Sequence, residues 1–321
     1  MILSVTINPL LERRYYFPSI DLKSVNRNGK LEIKAGGKGI NVNRQLNQLG
    51  IKNIAMLFTG GINGKLLRES LKGEGIIFSE INSKTNTREA AIIIDQNQKK
   101  FYSFFGENAQ ITSDEVSSFV AKLEKAISAC EIVVFSGSSP CKEADEIFIE
   151  GINFANKLDK ISVCDTYGSH LNDCYNSSPT IIHNNVEEVR NSLGIDLKDG
   201  ADYINFLQML YGKGIKQAFI TNGAKPLYAS NFDFHYKVNP PQINSVDSTG
   251  SGDAFVAGLI FGWHNKLTFE KQLRFATALG ALNSGSLEVC EVELNSAKSL
   301  SENINIKAIG KKLKQIDDSP N

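Results

Sequence analysis

The chain has 321 residues, 41% hydrophobic and 22% charged, the balance of a globular protein large enough to bury a deep pocket. Its 35 Lys and Arg offset 35 Asp and Glu, which excludes a whole-surface attraction to nucleic acid or anionic lipid. An anionic substrate would have to be met by a few placed cations. The five cysteines are odd in number and contain no CxxC pair, which argues against a disulfide framework or a zinc site and for reduced thiols in the cytoplasm.

In chain order, residues 2–7 are predicted as a strand. They lack the charged and long apolar regions of a secretory leader, and no apolar run in the chain approaches the ~20 residues of a membrane span. Further strands are predicted at 53–58, 132–135, 161–164, 180–182 and 217–221. Helical periods fall between them, at 39–49, 65–72, 113–128, 143–158, 185–193 and 202–210. The strands are nearly continuous apolar runs, as expected when helices cover both sheet faces. This alternation predicts a three-layer α/β fold around a doubly wound, mostly parallel sheet, with 1–321 as one domain.

Two segments break the alternation. Residues about 13–34 hold short extended pieces at 14–17 and 30–33, and residues about 88–105 hold pieces at 90–95 and 99–105 around Gln96-Asn97-Gln98. The latter read as an antiparallel pair. Together the four pieces predict a small β-sheet standing over a pocket as a lid, with Phe101, Phe104 and Phe105 in its core. The tail, 307–321, is predicted as a surface helix.

The strongest local signal is Asp247-Ser-Thr-Gly250-Ser251-Gly252-Asp253, which opens an apolar helix. Amides at such a turn have no intrahelical acceptor, and with the helix dipole they suit phosphate oxygens. Asp253 stands where that anion would sit. A helix N-terminus favours its ionised form, so its pKa is expected to stay low. Two familiar nucleotide motifs are excluded: position 255 is Phe rather than Gly, and Leu66 follows Gly64-Lys65. A second glycine turn, Ala35-Gly36-Gly37-Lys38-Gly39-Ile-Asn41, opens another helix and adds a point charge and an amide. The four histidines show no metal-ligand spacing.

These two turns are accompanied by Thr6-Ile-Asn8-Pro9, Gly60-Gly61 with Gly64, Thr87-Arg88, Ser136-Gly137-Ser138-Ser139-Pro140, Asp165-Thr-Tyr-Gly168, Asn185-Val-Glu-Glu188 and Thr221-Asn-Gly223-Ala224. Over nearly the whole chain the set closely resembles the PfkB (ribokinase-like) carbohydrate kinases, in particular their 1-phosphofructokinase and tagatose-6-phosphate kinase branch. The resemblance implies a ribokinase-like fold and transfer of the ATP γ-phosphoryl group to a hydroxyl of a ketohexose phosphate, of the fructose-1-phosphate or tagatose-6-phosphate type. It implies Asp253 as catalytic base, with Gly250, Ser251 and Gly252 forming the anion hole. Asn8, Glu12, Gly37, Lys38, Asn41 and Arg88 would bind the sugar, the two cations clamping its existing phosphate. Asn185, Thr221, Gly223 and Asn283 would bind ATP, and Glu188 would serve magnesium from the outer shell. By analogy the lid sheet would make a homodimer contact.

Four positions depart from the family pattern. Glu12 stands where the branch has Asp, His183-Asn184 where it has Lys-Pro, Pro226 where it has Gly, and Phe105-Gly106-Glu107-Asn108 where it has an acidic-Gly-Pro stretch. Two alternatives stay open: a kinase of an unphosphorylated sugar or nucleoside, and a weakly active member that senses a sugar or nucleotide.

Overall fold

The computed structural model describes residues 1–309. The chain opens with β1 (Ile2–Thr6), β2 (Leu10–Phe17), β3 (Lys30–Gly36), α1 (Lys38–Gln48), β4 (Asn53–Thr59), α2 (Gly61–Gly73) and β5 (Phe78–Asn82). There follow β6 (Glu89–Asp95), β7 (Lys100–Phe105), α3 (Ser113–Ser128), β8 (Ile132–Ser138), α4 (Glu146–Lys157), β9 (Ile161–Tyr167), α5 (Leu171–Asn176) and β10 (Ile181–Asn185). The last part comprises α6 (Val186–Leu193), α7 (Gly200–Gly212), β11 (Gln217–Asn222), β12 (Lys225–Asn231), β13 (Phe234–Val238), α8 (Ser251–His264), α9 (Phe269–Ser284), α10 (Leu294–Ser301) and β14 (Ile306–Ile309).

The main sheet runs β14-β13-β12-β11-β10-β9-β8-β1-β4-β5. From β11 to β5 every neighbouring pair is parallel, and the β12–β14 end is antiparallel. Strand side chains alternate between faces, and β8 shows the result. Val133 and Phe135 join one core with Phe119 and Phe148. Ile132 and Val134 join the other with Val42, Val256 and Leu259. Helices therefore cover both faces, the three-layer arrangement the apolar runs imply. Helix α8 is buried at every position from 253 to 262, because it is apolar on all sides and packs against both α1 and α9.

The second sheet has the order β3-β2-β6-β7. The predicted antiparallel pair forms as β6 and β7, and β2 joins β6 in parallel. Its first strand starts at Leu10 rather than near 13, and residues 18–29 hold no strand. Lys34 of β3 is buried, with its ammonium 2.8 Å from Glu288 and 3.1 Å from Glu291. That double pair ties the small sheet to the loop after α9.

Several expectations need correction. Residues 306–309 form β14 rather than the start of a helix, because they complete the backbone hydrogen bonds of β13; residues 310–321 lie outside the described residues. Phe104 and Phe105 are exposed rather than forming the core of the small sheet. The hairpin β12–β13 was not legible, since it turns through Phe232 at φ 53° without the Asn-Gly or Gly signal such turns usually carry. Edge strand β5 has no fully buried residue, and α5 is six residues long, too short to display a period. Among the described residues no helix is long and apolar enough to cross a membrane, and all five cysteines are free.

Candidate active site

The carboxyl ends of the parallel strands converge on a cleft of about 690 Å³, the place where open α/β sheets receive ligands. Thr6 ends β1 and Asn8 follows it, Ser138 ends β8, Tyr167 ends β9, Asn185 ends β10, and Thr221 lies at the end of β11; all line the cleft. The small sheet contributes Phe105. Thirteen of the fifteen predicted site residues line the cleft: Asn8, Gly37, Lys38, Asn41, Arg88, Asn185, Glu188, Thr221, Gly223, Gly250, Ser251, Gly252 and Asp253. Glu12 and Asn283 do not.

The floor is the N-terminus of α8. Gly250 caps the helix at φ 77°, and no side chain caps it. The helix geometry leaves the amides of Gly252 and Asp253 without intrahelical acceptors. A side chain at Gly250 would also strike Val289, whose Cγ1 lies 2.3 Å from an ideal Cβ. Asn283 of α9 braces this turn from below. Its Nδ2 donates to the Thr249 carbonyl at 2.8 Å and to Ser251 Oγ at 3.2 Å, while its Oδ1 accepts the Cys290 amide at 2.7 Å. With every polar group engaged, Asn283 holds the turn and does not face the cleft.

Asp253 is 4% exposed, and Asn41 Nδ2 donates to its Oδ2 at 2.7 Å. The orientation of Asn41 is fixed one turn along α1, because Arg44 donates to its Oδ1 at 2.7 Å. Arg44 is itself held by Glu74 and by the Ala35 carbonyl. Only the Asn41 amide nitrogen can then meet Asp253. Burial pushes the Asp253 carboxyl up to about 7; Lys38 opposes the rise, and the neighbouring carboxylate of Asp165 adds to it. The expectation of a low pKa is thus overturned. The helix terminus favours the anion, but desolvation and a like charge outweigh it.

Lys38, the first residue of α1, lies 2.7 Å from Glu188 Oε1 and 3.2 Å from Asp165 Oδ1. Burial works against its charge, but Asp165, Glu188 and Asp253 outweigh burial and raise its pKa. Lys38 therefore already faces anions of the protein. Glu188 is fixed by a capping box at the start of α6, its Oε2 accepting the Asn185 amide at 3.1 Å while Asn185 Oδ1 accepts the Glu188 amide at 2.9 Å. Asp165 is fully buried and accepts from Ser136 Oγ at 3.1 Å and His183 Nδ1 at 2.9 Å. Burial pushes its carboxyl up, yet Lys38 and His183 prevail and hold it below its ordinary value.

At the other end of the cleft, Arg88 donates from Nη2 to the Asn8 carbonyl at 3.0 Å and from Nη1 to Asn108 Oδ1 at 3.2 Å. Its Nε is buried without a partner among the described residues, and its guanidinium lies 6.0 Å from the Phe105 ring centroid. Burial lowers its pKa, but a guanidinium stays charged. Asn8 Nδ2 donates to Ser138 Oγ at 3.0 Å and to Asn108 Oδ1 at 3.1 Å. Glu12 is turned away: its Oε2 accepts from Arg14 at 2.7 and 2.8 Å.

Asp165 and Ser138 stand in the family-like motifs and His183 and Asn108 among the departures, but sequence reasoning gives none of them a role in the site. Asp165, His183 and Ser138 carried a further usable signal, a polar residue at or near the carboxyl end of an apolar strand.

The family model described as pfkB family carbohydrate kinase matches residues 9–293. Among solved structures, a possible 1-phosphofructokinase from Thermotoga maritima superposes with TM-score 0.87 at 24% identity, covering 96% of this chain and 99% of its own. The tetrameric inhibited form of phosphofructokinase-2 from Escherichia coli superposes with TM-score 0.85 at 22% identity, covering 94% and 98%. The same enzyme in complex with fructose-6-phosphate gives TM-score 0.82 over the same shares.

Proposed function

The chain belongs to the pfkB family of carbohydrate kinases, and from that premise we propose that it transfers the γ-phosphoryl group of ATP to a hydroxyl of a ketohexose phosphate, of the fructose-1-phosphate or tagatose-6-phosphate type. The observation that carries this reading is Asp253, a buried carboxyl poised near neutrality beside open backbone donors, in one cleft with Arg88. Asn41 occupies Oδ2 of Asp253, leaving Oδ1 to receive the acceptor hydroxyl and its proton. The amides of Gly252 and Asp253 stabilise charge on the oxygens of the moving phosphoryl group. The nucleotide lies toward Thr221, Gly223 and Asn185. The small sheet covers the sugar and keeps water from the transfer.

The sugar's own phosphate rests on Arg88, with Ser138 and Asn8 as partners. Lys38 leaves the two-cation clamp, because Asp165 and Glu188 already occupy its ammonium. It instead neutralises two carboxylates that would otherwise repel the ATP phosphates. The loss of one clamp cation is also what favours the second reading, an unphosphorylated sugar as acceptor.

The donor set suits magnesium brought in on the ATP phosphates. Among the described residues no cluster of three or more His, Cys, Asp or Glu side chains could cage a metal. Glu188, its oxygens already engaged, would meet the ion through waters, as magnesium prefers. When bound, the ion would neutralise phosphate charge.

An ADP-release assay with fructose-1-phosphate, fructose-6-phosphate, tagatose-6-phosphate, fructose and ribose tests the reading. Turnover with a phosphorylated ketohexose is expected. Turnover confined to fructose or ribose would move the protein to the second reading, and ADP binding with no turnover on any acceptor would make it a sensor.

A further inference from the structure

His183 stands where three parts of the site meet, and its only role above is to hold Asp165. It lies on β10 and is 1% exposed. Its Nδ1 is 2.9 Å from Asp165 Oδ1 on β9, and its Nε2 is 3.2 Å from Thr221 Oγ1 at the end of β11. Its ring packs on Phe255 of α8 with centroids 5.2 Å apart. Its Cε1 lies 3.1 Å from the position a Cβ would take on Gly252. The ring therefore bonds the carboxylate that holds Lys38 and the loop on the nucleotide side, and fills the space where a side chain on Gly252 would stand.

A carboxylate can only accept, so Nδ1 carries the proton given to Asp165. Nε2, at the other end of the ring, shares its hydrogen bond with the Thr221 hydroxyl, which can give or take a proton. This fixes the rotation of Thr221 and ties its loop, residues 221–224, to the same wedge that supports Gly252. A longer, flexible side chain at 183 could reach one of these groups but could not wedge Gly252.

We propose that His183 is a positioning residue for the nucleotide phosphates, setting the Thr221 loop and the Gly252 amide at the spacing a polyphosphate chain requires. The proposal rests on the kinase reading above. It is nevertheless tested apart from the acceptor sugar, by measuring ADP affinity by calorimetry alongside steady-state kinetics.

His183→Asn keeps a donor where Nδ1 stood and loses the reach to Thr221. Thr221→Val removes the same bond from its other end. Each should weaken ADP binding and raise the KM for ATP by about ten-fold, the loss of one buried hydrogen bond, with the sugar KM within about two-fold of wild type. Because one bond is removed from both ends, the double variant should be no weaker than either single variant. His183→Phe keeps the ring volume, loses both bonds, and should bind ADP at least as weakly as His183→Asn. Unchanged ADP affinity in His183→Asn overturns the proposal, as do losses that multiply in the double variant. An equal fall in every kinetic parameter together with Tm would also overturn it, by showing a merely structural role. Failure of the kinase reading looks different: wild type turns over no sugar phosphate, while the ADP titrations still decide the role of His183.

Discussion

Replacing Asp253 by Asn keeps the shape of the side chain and removes the base. The amide can still present its oxygen to Asn41 Nδ2, the contact the carboxylate makes at 2.7 Å, so the local packing has no reason to collapse. What disappears is the acceptor for the hydroxyl proton, and kcat should fall by about 10²–10⁴-fold. The carboxyl is pushed up to about 7, chiefly by burial, so wild-type kcat/KM should rise with pH and level off above about 7. The residual activity of Asp253→Asn should lack that limb. Stability should move in the opposite direction. The folded-state pKa exceeds the ordinary value of 3.8, so the folded protein holds an extra proton between roughly pH 4 and 7. The contribution of this group to stability therefore falls as pH rises through that window. At pH 8 the native carboxylate is ionised in a buried site beside Asp165, and Asp253→Asn should raise Tm; below pH 4 the difference should vanish. The assays are ADP release from pH 5 to 9 and thermal unfolding over pH 3–8. Turnover near the wild-type rate would refute the base assignment. Loss of ATP binding together with folding would show Asp253 to be a structural cap of α8.

Arg88→Ala should raise the KM for a sugar phosphate by about one to two orders of magnitude, since a charge-assisted contact contributes about 1.5–3 kcal/mol, and leave the KM for ATP nearly unchanged; an unmoved sugar KM would end the clamp. Hydrogen exchange in β2, β3, β6 and β7 should slow when the sugar phosphate binds, and equal protection with and without it would make the small sheet a fixed extension. Glu188→Gln should raise the magnesium concentration needed for half-maximal rate, because a neutral amide orders the ion's waters less strongly; an unchanged requirement would remove Glu188 from the reaction.

Much of this architecture is legible in the chain because its physical causes are local. The parallel strands β1, β4, β8 and β11 are apolar on both faces, and such runs stand out in any window of a few residues. The donor turn at Gly250 and the N-terminus of α1 at Gly37 were visible through their glycines, whose positive φ angles of 77° and 122° other residues adopt only at a cost. Non-local causes left no such mark. The place of Asn283 under the donor turn depends on α9 packing against α8. The withdrawal of Glu12 depends on a bidentate partner two residues along the same strand. Spacing alone could not decide whether that carboxylate turns to Arg14 or to a sugar.

The charge of the site shows the same division most sharply. Read along α8 alone, Asp253 is a carboxylate at the positive end of a helix dipole, and its proton should leave easily. That field is worth at most about 2 kcal/mol even in a partly buried site. In the fold, the side chain is buried with Asp165 and Glu188 nearby, and the Lys38 ammonium and the Asn41 hydrogen bond oppose the rise without cancelling it. These groups come from β9, α6 and α1, far apart in sequence. One cation is thus shared among three carboxylates, and Asp253, the one without a direct ion pair, has its carboxyl pushed up to about 7. Asp165 and Glu188 each touch Lys38, whereas Asp253 has an amide as its partner. Pairing Asp253 with Asn41 rather than with a cation makes it a base strong enough to accept a proton, and the rigidity of the Asn41–Arg44–Glu74 chain keeps that pairing in place.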